Sequence, residues 1–307
     1  MTAFEPAVSG RWRTLLWAWS VLLTLGALWG LTFSLIRIAA SRGAHPLGMT
    51  FWEAFIAGLF LVLIAAHRRR PVHLSLRLPR YCLATGLLGM VVPGAAFFYA
   101  AAHLPAGVLS LTVSVVPILT YLAALLLRIE TVSARRVAGV MLGTAAMALL
   151  VTPEDSLPDS SQLPWVFVGL SAAVSYAVLG LYSSLKSPTG ADAMVQTTGM
   201  FVAASIMLAP IIAITNAFVP FGWPWGPVEW SLVGLGALNT ASWVLFFMLL
   251  DRAGPVFTSF TANVVTIFGI LWGIVIFAEV NSVWVWLSLA TITVALLLVA
   301  PRENTHS

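Results

Sequence analysis

The sequence predicts an all-α polytopic membrane protein: ten transmembrane helices forming a five-plus-five inverted-topology repeat around a central cavity. Three observations carry this reading. The 307 residues are 60% hydrophobic and 8% charged, with a mean hydropathy of +0.97, which is more apolar surface than a soluble domain of this size can bury. The apolar residues gather into runs long enough to cross about 30 Å of hydrocarbon. Residues 97–133 recur as residues 246–282 at a fixed offset of 149.

The runs fall at about 14–39, 47–66, 81–102, 105–127, 134–151, 164–185, 192–215, 229–250, 255–277 and 283–300. Each is read as a helix because backbone in lipid must satisfy its own hydrogen bonds, and the short alternating strands of an outer-membrane barrel are missing from the pattern. The first run follows Arg11 and Arg13 as a signal sequence would, but its length and the lack of a small-residue cleavage site keep it as span one. Cys82 is the lone cysteine, which excludes an intramolecular disulfide and multi-cysteine metal sites.

The recurrence holds ten identities in 37 positions. Phe97, Phe98, Ser110, Thr112, Val115, Val116, Ile118, Leu122, Glu130 and Ser133 return as Phe246, Phe247, Ser259, Thr261, Val264, Val265, Ile267, Leu271, Glu279 and Ser282. Apolar bias supplies some Phe, Val and Leu matches, but not two polar residues within one span or a Glu and a Ser just past its end. Residues 1–152 are therefore read as the first five-helix repeat, 153–163 as an external linker and 164–307 as the second repeat. Five is odd, so the second half inserts upside down relative to the first, an arrangement that places a substrate site near the bilayer midplane between the halves.

Charge fixes the expected orientation. With both termini in the cytoplasm, thirteen of the fifteen basic residues lie on that side and only Arg37 and Arg42 lie outside, a strong positive-inside bias. This bias explains the sequence pI near 9.7 without an acidic or nucleic-acid partner. The linker, with three acids and no base, fits the external side. Most of the thirteen tryptophans sit near span ends as interfacial anchors, while Trp29, Trp52 and Trp243 lie deeper. The Pro- and Trp-rich connection from Asn216 to Glu229 is expected to lie along the membrane interface.

The segment Ala-Leu-Trp-Gly-Leu-Thr-Phe at 27–33, the Phe-Phe-Tyr-Ala at 97–100, Pro117 within span four, Glu130 and Glu279 after spans four and nine, and the five-plus-five layout together resemble the EamA-type, ten-span drug/metabolite transporter superfamily. Within it the chain is most similar to the bacterial aromatic amino acid exporter branch. The resemblance covers nearly the whole chain. It implies an inner-membrane exporter of small metabolites, with spans one to four and six to nine enclosing the cavity and spans five and ten on the periphery. One departure stands out: many relatives carry a basic residue in span two near the place where this chain reads Phe51-Trp52-Glu53.

A cavity-facing helix shows small or polar residues every three or four positions. Span four does so with Ser110, Ser114, Pro117 and Tyr121, and span nine with Ser259, Asn263 and Thr266, which match the first three at the repeat offset. Span eight adds Asn239 and Trp243, span three Tyr99, and span six Ser175 and Tyr176, the latter aligned to Trp29 of span one. Pro117 predicts a kink. The competing reading of the Ser and Thr residues is back-bonding to their own helix carbonyls. Glu53 is the acidic residue well inside an apolar run, and a bare carboxylate there is costly. Arg37 lies at compatible depth, so an Arg37–Glu53 ion pair is expected, with proton carriage or contact with a substrate ammonium as the alternatives.

Enzymatic chemistry finds no support. The five histidines sit at span ends or in loops, paired carboxylates and metal-ligand spacings are missing, and so is a P-loop. The expectation is a secondary exporter of neutral amino acids, Phe, Tyr and Trp included, acting as a monomer or weak dimer without cofactor or metal. Other amphipathic metabolites or drugs are the alternative cargo. A channel or structural membrane protein is the alternative class, and would need a continuous polar lining.

Overall fold

Every regular element among the described residues is helical. The computed structural model describes residues 7–67, 77–128, 132–151, 160–188, 193–259 and 261–299. The first half comprises α1 (Ala7–Ala40), α2 (Pro46–His67), α3 (Arg77–Gly86), α4 (Val92–Ala101), α5 (Ala106–Val113), α6 (Val116–Leu126) and α7 (Ala134–Val151). The second half comprises α8 (Leu163–Lys186), α9 (Ala193–Ile214), α10 (Pro227–Ser259), α11 (Thr261–Phe277) and α12 (Val283–Val299). Seven stretches of the described residues are long and apolar enough to cross a membrane, and three shorter apolar helices, Val137–Ala146, Thr261–Phe277 and Val283–Ala295, stand where spans five, nine and ten were expected.

Two boundaries differ from the expectation. Helix α1 begins by Ala7 and α10 runs on to Ser259, well past the apolar runs 14–39 and 229–250. Hydropathy marks where a helix enters hydrocarbon, while backbone hydrogen bonding continues as long as the φ/ψ geometry allows.

Two expected single spans are instead built from pieces, each because of a proline. In span three a π-helical turn, Leu87–Val91, joins α3 to α4, and the Val92 N–H donates five residues back to the Leu87 carbonyl. In that register the next donor would be Pro93, which has no N–H. The Leu88 carbonyl is left over and accepts from Ser175 Oγ at 2.7 Å, so the buried backbone oxygen is satisfied from another helix. In span four α5 and α6 meet at a turn over Ser114 and Val115, three residues before Pro117. The kink expected from Pro117 is thus a full interruption.

Packing follows the repeat. Helix α1 packs chiefly on α11 and α10, and its counterpart α8 packs on α4, α5 and α6. Helix α2 packs on its own counterpart α9, α5 on α11, and α7 on α12. Exchanging the halves reproduces these pairings. Without a hydrophobic drive between helices in lipid, such contacts depend on close van der Waals fit. Gly26 and Gly30 give α1 a small-xxx-small face against α11: a Cβ on Gly30 would sit 2.7 Å from Phe268 Cβ and 2.8 Å from the Gly269 nitrogen.

Trp52 serves the fold at one end of the bundle. Its Nε1 donates to the Val219 carbonyl at 2.7 Å and its ring lies 4.5 Å from that of Phe221, pinning the 217–226 connection over α2.

Candidate functional site

Helices α1, α2, α8 and α10 converge on one buried polar chain. Glu53 lies seven residues past Pro46 on α2, about 10 Å along the helix at 1.5 Å per residue, and is only 4% exposed. Its Oε1 accepts a hydrogen bond from Asn239 Nδ2 at 2.6 Å, and Asn239 Oδ1 accepts one from Trp29 Nε1 at 3.3 Å. Indole nitrogen can only donate, so the Asn239 amide has one workable orientation: oxygen to Trp29, nitrogen to Glu53. Glu53 Oε2 is buried with no hydrogen-bond partner.

Aromatic rings gather at the Trp29 end of this chain. Trp243 meets Trp29 edge-on at 5.3 Å, Phe246 lies 5.4 Å from Trp29, Phe247 lies 6.0 Å from Trp243, and Tyr176 of α8 lies 6.4 Å from Trp243. A carboxylate with one unpaired oxygen, linked through Asn239 to an aromatic cluster, is the sort of intramembrane group that marks a functional site.

The expected Arg37–Glu53 pair does not form. Arg37 Nη1 instead donates to Glu279 Oε1 in an ion pair, with its guanidinium 4.5 Å over the Phe277 ring. The same carboxylate accepts from the Ala106 N–H at 2.9 Å through Oε1 and the Gly107 N–H at 3.2 Å through Oε2. These are first-turn donors of α5, whose N-cap residue Pro105 supplies no side-chain acceptor. Glu279 therefore caps that helix from the other half of the chain and neutralises the positive end of its dipole. Gly273 makes room for it, since a Cβ there would collide with the carboxylate. Depth had pointed to Glu53, but α1 packs against α11, which delivers Glu279 to Arg37 first. Beside this latch is a cleft of about 240 Å³ lined by Arg37, Pro105, Phe277, Glu279 and Asn281.

The EamA-like transporter family model matches the chain twice, over residues 16–152 and again over 163–300. The chain belongs to the EamA-like transporter family. Among relatives, the uncharacterized inner membrane transporter YedA of Escherichia coli (strain K12) is 26% identical over 306 residues, covering 94% of this chain and 92% of its own length. The uncharacterized transporter YvbV of Bacillus subtilis (strain 168) is 26% identical over 230 residues, 75% of this chain and 73% of its own. One solved protein crystal structure superposes with a TM-score of 0.63 at 18% identity, covering 92% of this chain and 97% of that one. That likeness shows the fold alone.

The remaining candidates of this EamA-like chain are distributed as follows. Ser110 and Thr266 meet where α5 crosses α11: Ser110 Oγ donates to the Thr266 carbonyl at 3.4 Å and Thr266 Oγ1 to the Ser110 carbonyl at 3.2 Å. Both also bond back within their own helices, as Ser114 Oγ does to the Leu111 carbonyl at 2.6 Å. These hydroxyls are committed to backbone. Ser175 is likewise committed, to Leu88. Asn263 is different, for its Oδ1 is buried without a partner. Pro117 opens α6, and Tyr121 Oη accepts from the Ser133 N–H at 3.3 Å near that helix's far end. Tyr99 is 37% exposed and lies beside His45, 6.3 Å between ring centres, away from the Trp29 cluster. The side chain of Ser259 lies outside the described residues. Sequence reasoning missed two elements of the site: Glu279, whose recurrence from Glu130 was its available signal, and the Phe246–Phe247 pair, which recurs from Phe97–Phe98.

Proposed function

We propose that this EamA-like transporter exports neutral amino acids, aromatic ones included, across the bacterial inner membrane by alternating access, with both termini in the cytoplasm and ten spans divided as 1–152 and 164–307. The observation that carries the reading is the chain Trp29–Asn239–Glu53 with the aromatic cluster at its Trp29 end. It joins elements of both halves at membrane depth, where inverted repeats place substrate. The free Glu53 oxygen suits an ammonium group, and the rings of Trp29, Trp243 and Tyr176 suit an aromatic body.

Alternating access also needs one end of the pathway held shut, and the Arg37–Glu279–α5 latch ties the halves together at the end carrying the 278–282 connection. In the proposed orientation that end is external, and release of the latch opens it.

Purified protein in proteoliposomes, assayed with labelled phenylalanine, tyrosine and tryptophan with and without a proton gradient, tests this. Saturable, mutually competing flux is expected. A correctly oriented preparation that moves none of the three refutes the assignment of substrate.

A further inference from the structure

The environment of Glu53 defines what can occupy it. Its Oε2 is buried and unpartnered, and Oε1 has only the neutral Asn239 amide. Arg37 is spent on Glu279. Of the elements packed against α2, α9 and the π-helical turn carry no titratable side chain, and α4 carries Tyr99. Helix α10 carries Glu229, Asp251 and Arg252, each ten or more residues along the helix from Asn239, hence about 15 Å or more away. Helix α8 brings Tyr176 to the cluster, and α1 brings Trp29. A charge with no counter-ion in a medium of low dielectric is too costly to persist. Only two occupants leave this site neutral: a proton on the carboxyl group, or a cation against the carboxylate.

The cation's class follows from the walls. A metal ion such as sodium needs several oxygen ligands, and here the free ligand is one carboxylate oxygen, joined through Asn239 to the cluster of Trp29, Trp243, Phe246 and Tyr176 rings. Such rings attract organic cations through their faces and offer a bare ion little to replace its hydration shell.

We propose that Glu53 is an exchange seat that holds either a proton or the cationic nitrogen of the substrate, so that the best substrates are monocationic amines with an aromatic body and each is exchanged for one proton. This rests on the transporter reading above and sharpens it. When the ammonium docks, the carboxyl O–H bond breaks, the electron pair stays on Oε2, and the proton leaves to water through the opening by which the substrate entered. An N–H···O bond to the ammonium replaces the O–H bond, and the site is neutral before and after. A zwitterionic amino acid brings an extra carboxylate for which the described residues around Glu53 offer no cation, so it binds more weakly than the amine of the same shape.

Calorimetric titration of the purified full-length protein in two buffers of different ionisation enthalpy counts the protons released. The probes are phenethylamine, its uncharged isostere 2-phenylethanol, and phenylalanine. Phenethylamine is expected to release about one proton per molecule bound, and to bind up to about tenfold tighter per unit rise in pH while the carboxyl is protonated. 2-Phenylethanol should not compete. Glu53→Gln should abolish proton release and weaken phenethylamine at least about tenfold, while Glu53→Asp keeps the release. Should Glu53→Gln fail to fold, the wild-type proton count and pH series decide alone. Binding of phenethylamine without proton release, equal affinity for 2-phenylethanol, or undiminished release in Glu53→Gln overturns the exchange seat. If phenylalanine is transported while phenethylamine releases no proton, this inference falls and the transporter assignment stands. If no aromatic amine or amino acid binds or moves, both fall.

Discussion

Removing the Glu279 carboxylate should cost far more than removing its ionic partner. In Glu279→Ala the Ala106 and Gly107 N–H groups lose their acceptor, and Pro105 offers no substitute cap. Hydrogen bonds to a charged group contribute about 1.5–3 kcal/mol each, but a lost cap measured directly costs about 0.5–2 kcal/mol, so about 3 kcal/mol is expected for the pair of donors. The Arg37 side chain is 30% exposed against 7% for Glu279, which moves the ionic part toward the about 0.2–1 kcal/mol of a solvent-screened pair. Arg37→Met should therefore cost only about 1 kcal/mol, and Glu279→Gln, which keeps one acceptor oxygen, should fall between. Equilibrium unfolding in mixed micelles, followed by tryptophan fluorescence, gives the three values, and the double mutant gives an Arg37–Glu279 coupling of about 1 kcal/mol or less. If Arg37→Met is as damaging as Glu279→Ala, or the coupling accounts for most of the loss, the capping argument is wrong and the latch is primarily an ion pair.

Gly30→Ala should destabilise by about 1–3 kcal/mol, because the new methyl meets Phe268 Cβ and the Gly269 backbone and α1 must move off α11. Gly180→Ala, with open space around it, is the control and should be neutral or stabilising by the same unfolding assay. Ser175→Ala strands the Leu88 carbonyl in the π-helical turn and should cost about 1–3 kcal/mol, whereas Ser171→Ala, which removes only an exposed back-bond to the Val168 carbonyl, should cost little. For topology, single cysteines at Ser41 and Ser187 in a Cys82→Ser background should label from opposite sides of intact cells. Labelling of both from one side would remove the inverted arrangement of the halves.

Much of the fold was legible because a membrane enforces it. Long apolar runs must be helices, and an odd number of spans per repeat must invert. The interruptions at Leu87–Val91 and at Ser114–Val115 were half legible: Pro117 announced one, while Pro93 gave no sign that the break would take a π-helical form satisfied by Ser175. At the site, Asn239 and Trp243 were singled out by helical spacing, Trp29 by its depth in the span and Tyr176 by its alignment to Trp29, and the structure places them in one cluster. The Ser and Thr stripe was not decidable from spacing, because a hydroxyl pointing at a cavity and one bonding to the carbonyl a turn back occupy the same positions. Arg37 was paired wrongly for a definite reason. Depth and loop length favoured Glu53, nearby in sequence, but the partner is set by which helices pack together, and Glu279 lies 242 residues away in the chain.

The repeat also separates scaffold from chemistry. The acid of the latch follows the symmetry in sequence: at the offset of 149, Glu279 corresponds to Glu130, so each half carries an acid at an equivalent place. The buried polar chain does not. At the offset of 147 that aligns Trp29 with Tyr176 and the ends of α2 with those of α9, Glu53 corresponds to Met200, and at the offset of 149 Asn239 corresponds to Met90, both apolar. A second carboxylate at position 200 would double the cost of an unpaired charge within the bundle, and with no base nearby the two would repel. Symmetric positions thus suit devices that must exist at both ends of an alternating pathway, and the group that selects the cargo belongs where the symmetry is broken. Introducing Met200→Glu in a Glu53→Gln background tests that separation. If the halves were interchangeable around the site, transport would be restored. Because the π-helical turn carries Met90 where the mirror of the α10 donor Asn239 would stand, position 200 has no such donor opposite it, and the double variant is expected to stay inactive in the same proteoliposome assay.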